Sequence, residues 1–236
     1  MRLGQSYGRV ACVILVDMDI KYLGHSSFKL KGKVGSVITD PFDPKMVGLD
    51  YLRVSAEMVT VSHNHGDHNQ VSRVTGTTSR ETPFVIDRRG EYEASGIGAI
   101  AIKSWHDDKE GSERGENLIF VFQIDGVVVA HLGDLGHTLS DKQIAKIGVV
   151  DVLLIPVGGE YTIGPSEAVK VIEQLSPAIV VPMHYKLPGM TVQFEKLASV
   201  DDFLEKSGFE NARREDKLSL TKTNLPEETE VVVLGV

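Results

Sequence analysis

The sequence predicts a mixed α+β fold, and three observations carry that prediction. Short β-branched runs bounded by Gly, Asp and Pro dominate residues 20–132, helical periodicity is concentrated in the second half, and from Asp151 onward the order reads β, α, β, α, β. The chain has 236 residues, 42% hydrophobic and 25% charged, which suits a protein with a sizeable core as one large domain or two fused halves.

The elements follow in order. Ile20 to Leu23, Phe28 to Leu30 and Val34 to Thr39 read as an opening β-meander, the last two joined by a Lys31-Gly32-Lys33 turn. Further strands are expected at Met58 to Val61, Phe84 to Ile86, Ile97 to Ile102, Leu118 to Ile124 and Val127 to Leu132, with Asp125-Gly126 as a two-residue hairpin turn. Ser140 with Gln143 forms a capping box, Ile144 and Ile147 an apolar stripe, and Gly148 a stop, so a short helix is expected there. After the strand Val152 to Ile155, Pro165 opens a second helix with Val169, Ile172 and Leu175 on one face, ended by Ser176-Pro177. A strand at Ala178 to Val181 comes next. Val192 to Lys206 reads as one or two helices burying Phe194, Leu197, Val200 and Leu204, and Thr229 to Leu234 as a closing strand.

Composition narrows the function classes. A net charge of −8 opposes the phosphate neutralisation behind non-specific nucleic-acid binding, so no nucleic-acid partner is expected. Cys12 is the only cysteine, which excludes intrachain disulfides, thiolate zinc sites and iron–sulfur clusters; it reads as a small apolar residue in the run Val10 to Val16. That run is too short to span a bilayer and is followed by no small-residue cleavage site, so a cytoplasmic protein without a membrane span is expected.

The chemistry is concentrated in histidines. Three of the eight fall in His63-Asn64-His65-Gly66-Asp67-His68, directly after the apolar run Met58 to Val61, so these groups are expected on a strand-end turn. Imidazole and carboxylate are ligands for divalent zinc, iron or manganese, and Gly66 lets the backbone bend so that they converge. This set is too small to close two metal shells. His106, Asp134 and His184 each follow another apolar run, and strand ends converge on one edge in layered α/β structures.

His63-x-His65-x-Asp67-His68, then His106, Gly133-Asp134 and His184, in that order, resembles the metal motifs of metallo-β-lactamase-fold hydrolases. Tyr22 to Phe28, Thr39-Asp40-Pro41, His131-x-Gly133-Asp134, Pro156 to Gly159 and Pro182 to Tyr185 are similar to the branch that includes ascorbate-6-phosphate lactonase. The resemblance implies an αββα four-layer sandwich with metals at one edge. It implies one ion on His63, His65 and His106, another on Asp67, His68 and His184, and Asp134 shared, with Asp67 and Asp134 as the catalytic carboxylates. Asp40 would orient ligands from behind. His131 is open between that role and a satisfied core histidine, His25 is expected as a core or supporting group, and His137 on the surface. Tyr161, Tyr185 and Lys186 are substrate-contact candidates, with exposed loop residues as the alternative. Residues 1–17 read as an N-terminal extension and 18–236 as a single hydrolase domain.

The implied function is metal-dependent hydrolysis of a small, anionic lactone, ester or phosphoester by a hydroxide shared between two divalent ions, zinc first, with manganese or iron as alternatives. Two divalent ions offset by two carboxylates and a hydroxide leave a net positive site that attracts anions. Alternatives are a metal-stabilised binding module without turnover, or a phosphodiesterase or nuclease of the same fold. The chain is short for a nuclease insertion and lacks a basic surface. A small-molecule substrate is the expected partner, and a homo-oligomer is left open.

Overall fold

The computed structural model describes residues 18–236; Cys12, the Val10 to Val16 run and the 1–17 extension lie outside the described residues. Two sheets form. The first has six strands in the order Leu218–Leu220, Met18–Gly24, Ser27–Lys31, Ser36–Thr39, Met58–Thr60 and Phe84–Ile86. The second has eight, in the order Arg213–Glu215, Glu230–Leu234, Ile179–Met183, Val152–Pro156, Val127–His131, Glu116–Ile124, Ile97–Trp105 and Gly90–Ala94. Antiparallel pairing in the meander gives way to parallel pairing from Ser36–Thr39 to Phe84–Ile86. In the second sheet, Val127–His131 through Glu230–Leu234 are parallel, as the alternating strand and helix pattern requires.

One core joins the sheets. Tyr22, Phe28 and Leu30 from the first meet Phe120, Phe122 and Val129 from the second, all within 1% of full burial. Each such side chain contributes roughly 1.5–3 kcal/mol relative to exposure. Val152–Pro156 and Ile179–Met183 are buried along their whole length, which is why they read as unbroken apolar runs. Helices Pro165–Leu175 and Val200–Ser207 pack on each other, and the first also on Val152–Pro156, forming the helical layer outside the second sheet. The far side of the first sheet carries Ile38, Val59, Ala56 and Val74 in a separate cluster under the short parallel pair Val54–Ser55 and Val74–Thr75. The αββα sandwich therefore has an uneven helical content.

The caps form as their chemistry requires. Ser140 and Ser199 both close capping boxes, starting Asp141–Ile147 and Val200–Ser207, and Ser199 separates the latter from a single 3₁₀ turn at Val192–Phe194. The buried face of Pro165–Leu175 is Ala168, Val171, Ile172 and Leu175, with Val169 only half-buried, so the buried stripe is rotated from the expected one toward Ala168. Asp125 and Gly126 both take positive φ, 50° and 84°, as a two-residue hairpin turn demands. Among the described residues, no helix is long and apolar enough to cross a membrane.

Candidate metal centre

Six strand ends deliver polar side chains to one edge of the sandwich. The loop after Met58–Thr60 supplies His63, His65, Asp67 and His68; Ile97–Trp105 ends at His106, and Ile179–Met183 at His184. Ser36–Thr39 ends at Asp40 and Met18–Gly24 at His25. His25, Asp40 and His184 all adopt the left-handed backbone region, with φ of 55°, 37° and 53°. Non-glycine residues rarely do so, and here the turn swings each side chain off the end of its strand. The His184 N–H donates to the His25 carbonyl at 2.8 Å, locking two of these turns together.

Asp134 reaches the centre from Val127–His131 through Gly133, whose φ is 56°. A Cβ on Gly133 would lie 2.3 Å from Asn117 Oδ1 and 2.6 Å from Ser62 Cβ, so both space and backbone conformation require glycine. Buried Asn117 fixes the turn on both sides: its Oδ1 accepts the Asp134 N–H at 2.9 Å and its Nδ2 donates to the Leu132 carbonyl at 2.9 Å.

Asp134 Oδ2 is the hub. It lies 3.2 Å from Nε2 of His68 and of His184, 3.4 Å from that of His106 and 3.8 Å from that of His63. Around it, donor atoms fall into two further groups that could each hold a metal: His63, His65 and His106 on one side, and His25, Asp67, His68 and His184 on the other. The seven side chains expected as ligands are thus brought together, and His25 joins them, its Nε2 3.2 Å from Asp67 Oδ2. All are buried except His65, which is exposed.

Asp40 acts from behind. Its Oδ1 accepts the Ser62 N–H at 2.8 Å, while Oδ2 accepts the Ser62 hydroxyl at 2.5 Å and His68 Nδ1–H at 2.9 Å. With its proton committed to Asp40, the Ser62 oxygen accepts from His63 Nδ1 at 3.0 Å. Both imidazoles therefore carry a proton on Nδ1 and turn Nε2 inward. His68 Nε2 faces the Asp134 carboxylate at 3.2 Å, a contact satisfied by a second proton on the ring or by a cation between the two atoms. Among the described residues, His63 Nε2, His68 Nε2, both ring nitrogens of His184, Asp67 Oδ1 and Asp134 Oδ1 are buried without a hydrogen-bond partner. Imidazole and carboxylate donors orphaned in this arrangement fit divalent cations.

The electrostatics agree. Burial opposes ionisation of Asp134, yet His184 and His68 outweigh it and hold the carboxyl well below the usual range. Burial likewise opposes charge on His68, but Asp134 and Asp67 raise its pKa well above the ordinary value. Burial lowers His63, His106 and His131, and it lowers His25 to about 4 with help from adjacent His184.

The remaining candidates separate. Both ring nitrogens of His131 are spent on backbone, the Ser26 carbonyl at 2.8 Å and the Gly133 N–H at 3.2 Å, so it braces the turn before Asp134 as a satisfied core histidine. His137 is half-buried: Nε2 accepts the Trp105 N–H at 3.2 Å and Nδ1 donates to the Thr138 carbonyl. Tyr185 is buried against Tyr22, with its pKa pushed up to about 12 by burial. Lys186 Nζ donates to the Glu195 carbonyl at 3.0 Å, and the Tyr161 hydroxyl to the Gln193 carbonyl at 2.8 Å. Tyr161 nonetheless lies beside Phe194, whose ring centroid is 5.0 Å from that of His25. Ser62 and Asn117 carry no local sequence signal, because Asp40 and Leu132, which they bond, lie far along the chain.

Comparison with known proteins matches this geometry to a family. The family described as "Beta-lactamase superfamily domain" matches residues 19–184. A UPF0173 metal-dependent hydrolase of Thermococcus kodakarensis is 30% identical over 192 residues, covering 71% of this chain and 84% of that protein. A crystal structure of a metallo-β-lactamase superfamily protein from Thermotoga maritima superposes with a TM-score of 0.74 at 38% identity, covering 92% of this chain and 98% of the other. Igni18, a metallo hydrolase from Ignicoccus hospitalis, shares the fold with a TM-score of 0.59 at 21% identity, covering 93% and 97%. With the His-x-His-x-Asp-His loop, the central position of Asp134 and this match over most of its length, the chain belongs to the metallo-β-lactamase superfamily, within the UPF0173 family of metal-dependent hydrolases.

Proposed function

We propose that this protein is a dinuclear metal-dependent hydrolase acting on a small anionic lactone, ester or phosphoester, akin in substrate class to the ascorbate-6-phosphate lactonase branch. His63, His65 and His106 would hold one divalent ion and Asp67, His68 and His184 the other, with Asp134 shared, and zinc is the first expectation. The observation that carries this reading is Asp134 Oδ2 standing within 3.8 Å of four imidazole Nε2 atoms drawn from both groups. When bound, a pair of divalent ions supplies Lewis acidity and water acidified to react near neutral pH.

The chain's own contribution is preorganisation. Asp40 and Ser62 hold the Nδ1 protons of His68 and His63, so both rings present a basic nitrogen without reorganising. His25 Nε2–H donates to Asp67 Oδ2, which leaves Oδ1 as the free acceptor on that carboxylate. The test is metal analysis after reconstitution with zinc, manganese and iron separately, followed by screening lactones, carboxylic esters and phosphodiesters. Two ions per chain and chelator-sensitive turnover are expected. Fewer than one ion per chain, or turnover unchanged by chelation, would overturn the proposal; two ions without turnover would favour the metal-stabilised binding module.

A further inference from the structure

The loop between Ile97–Trp105 and Glu116–Ile124 begins at His106 and closes on itself through the His106 N–H donating to the Gly115 carbonyl at 3.1 Å. Its interior is occupied by one carboxylate. Asp107, 3% exposed, accepts four backbone N–H groups: Lys109 at 2.9 Å and Gly111 at 2.8 Å on Oδ1, Glu113 at 3.0 Å and Arg114 at 2.7 Å on Oδ2. A carboxylate saturated in this way fixes the backbone around it. The last residue so fixed is Arg114.

Arg114 lines a cavity of about 350 Å³ together with His63, Asn64, His65, Asp87 and Glu116. The two carboxylates there already have cations: Asp87 lies 3.3 Å from Arg88, and Glu116 lies 3.2 Å from Lys103 and 3.6 Å from Arg89. Among the described residues, Arg114 has no carboxylate within ion-pair distance. One guanidinium nitrogen donates to the Glu160 carbonyl at 3.2 Å, and the group stands 5.6 Å from the centroid of the Tyr161 ring, so the side chain is held across the rim between two loops. The other donors of its fork are uncommitted. Lys186, the cation nearest His184 in sequence, has instead placed its ammonium on the Glu195 carbonyl.

We infer that Arg114 is the residue that recognises the anionic group of the substrate, taking a phosphoryl or carboxylate oxygen pair on its free guanidinium edge beside His63 and His65. The inference rests on the hydrolase reading and specifies which cation selects the substrate. A planar fork binds two oxygens at once, a geometry an ammonium cannot supply.

The test compares the wild type with Arg114→Met and Arg114→Lys, each reconstituted with zinc and checked for metal content. Two readouts are used: the ratio of kcat/KM for bis(4-nitrophenyl) phosphate to that for neutral 4-nitrophenyl acetate, and the Kd for inorganic phosphate by calorimetry. Arg114→Met should lower the ratio and raise the phosphate Kd by about 10- to 100-fold, through KM and not kcat, with Arg114→Lys recovering part of the loss. Metal content should stay at the wild-type value. An unchanged ratio and Kd in Arg114→Met, a parallel loss for both substrates, or a metal-loaded wild type that does not bind phosphate would overturn the inference. Failure of metal loading in the wild type would instead strike the hydrolase reading, so the two failures are separable.

Discussion

Replacing Asp40 by Asn isolates the orienting role of a buried carboxylate. Asn tolerates the φ of 37° at this position, so the backbone turn survives and only one oxygen becomes an NH₂ group. Three donors converge on the native carboxylate: the Ser62 N–H and hydroxyl, and His68 Nδ1–H. The amide can accept on one side only. With its oxygen toward His68, the NH₂ opposes the Ser62 N–H; with the NH₂ toward His68, that ring must move its proton to Nε2 and close its inward lone pair. Either arrangement forfeits one hydrogen bond to a charged group, about 1.5–3 kcal/mol. At 1.4 kcal/mol per decade, an ion at the proposed His68 position should bind roughly 10- to 100-fold more weakly. Competition against a chromophoric chelator measures both dissociation constants, and a melt of the metal-free variant checks that it folds. Wild-type affinity for both ions in a folded Asp40→Asn protein would refute the reasoning.

Three further outcomes are expected. In metal-free protein, His25, His63, His106 and His131 have folded pKa values below the ordinary 6.5, His25 at about 4; their stabilisation is present above 6.5 and lost as pH falls toward 4, while raised His68 alone works the other way. The chelated protein should therefore melt at a lower temperature at pH 5 than at pH 7, and a rise would contradict the assignment. Asp107→Ala should cost about 2–4 kcal/mol by removing the acceptor of four N–H groups, and should make the bond after Arg114 sensitive to trypsin in short digests; unchanged cleavage would show that the loop holds without it. A chain beginning at Met18 should melt as the full chain does, because both neighbours of Met18–Gly24 in the sheet are already filled; a drop of several kcal/mol would instead make the Val10 to Val16 run part of the core.

What could be read from sequence was local. The runs at Phe84–Ile86 and Glu116–Ile124 announce strands because β-branched and aromatic residues dominate them, and the His63 to His68 loop announces metals because its donors are packed into six residues. Gly90–Ala94 and Arg213–Glu215 escaped because they are edge strands rich in charged residues, without an unbroken apolar run. The left-handed turns at His25, Asp40 and His184 had no signal, since Gly or Asn is the residue type expected there. Asn117 and Ser62 owe their roles to contacts across 15 and 22 positions.

The strand Leu218–Leu220 lies against Met18–Gly24, pairing Met18 with Leu220. While the protein is being synthesised, the first strand of the sheet that carries Asp40 must wait for nearly the whole chain before its outer edge is covered. Closing a loop of about two hundred residues is entropically unfavourable and slow to achieve, and until it happens an apolar strand edge is open to other chains. Assembly of this sheet is therefore expected to finish only once Leu218–Leu220 has been made, with aggregation competing most strongly before that step.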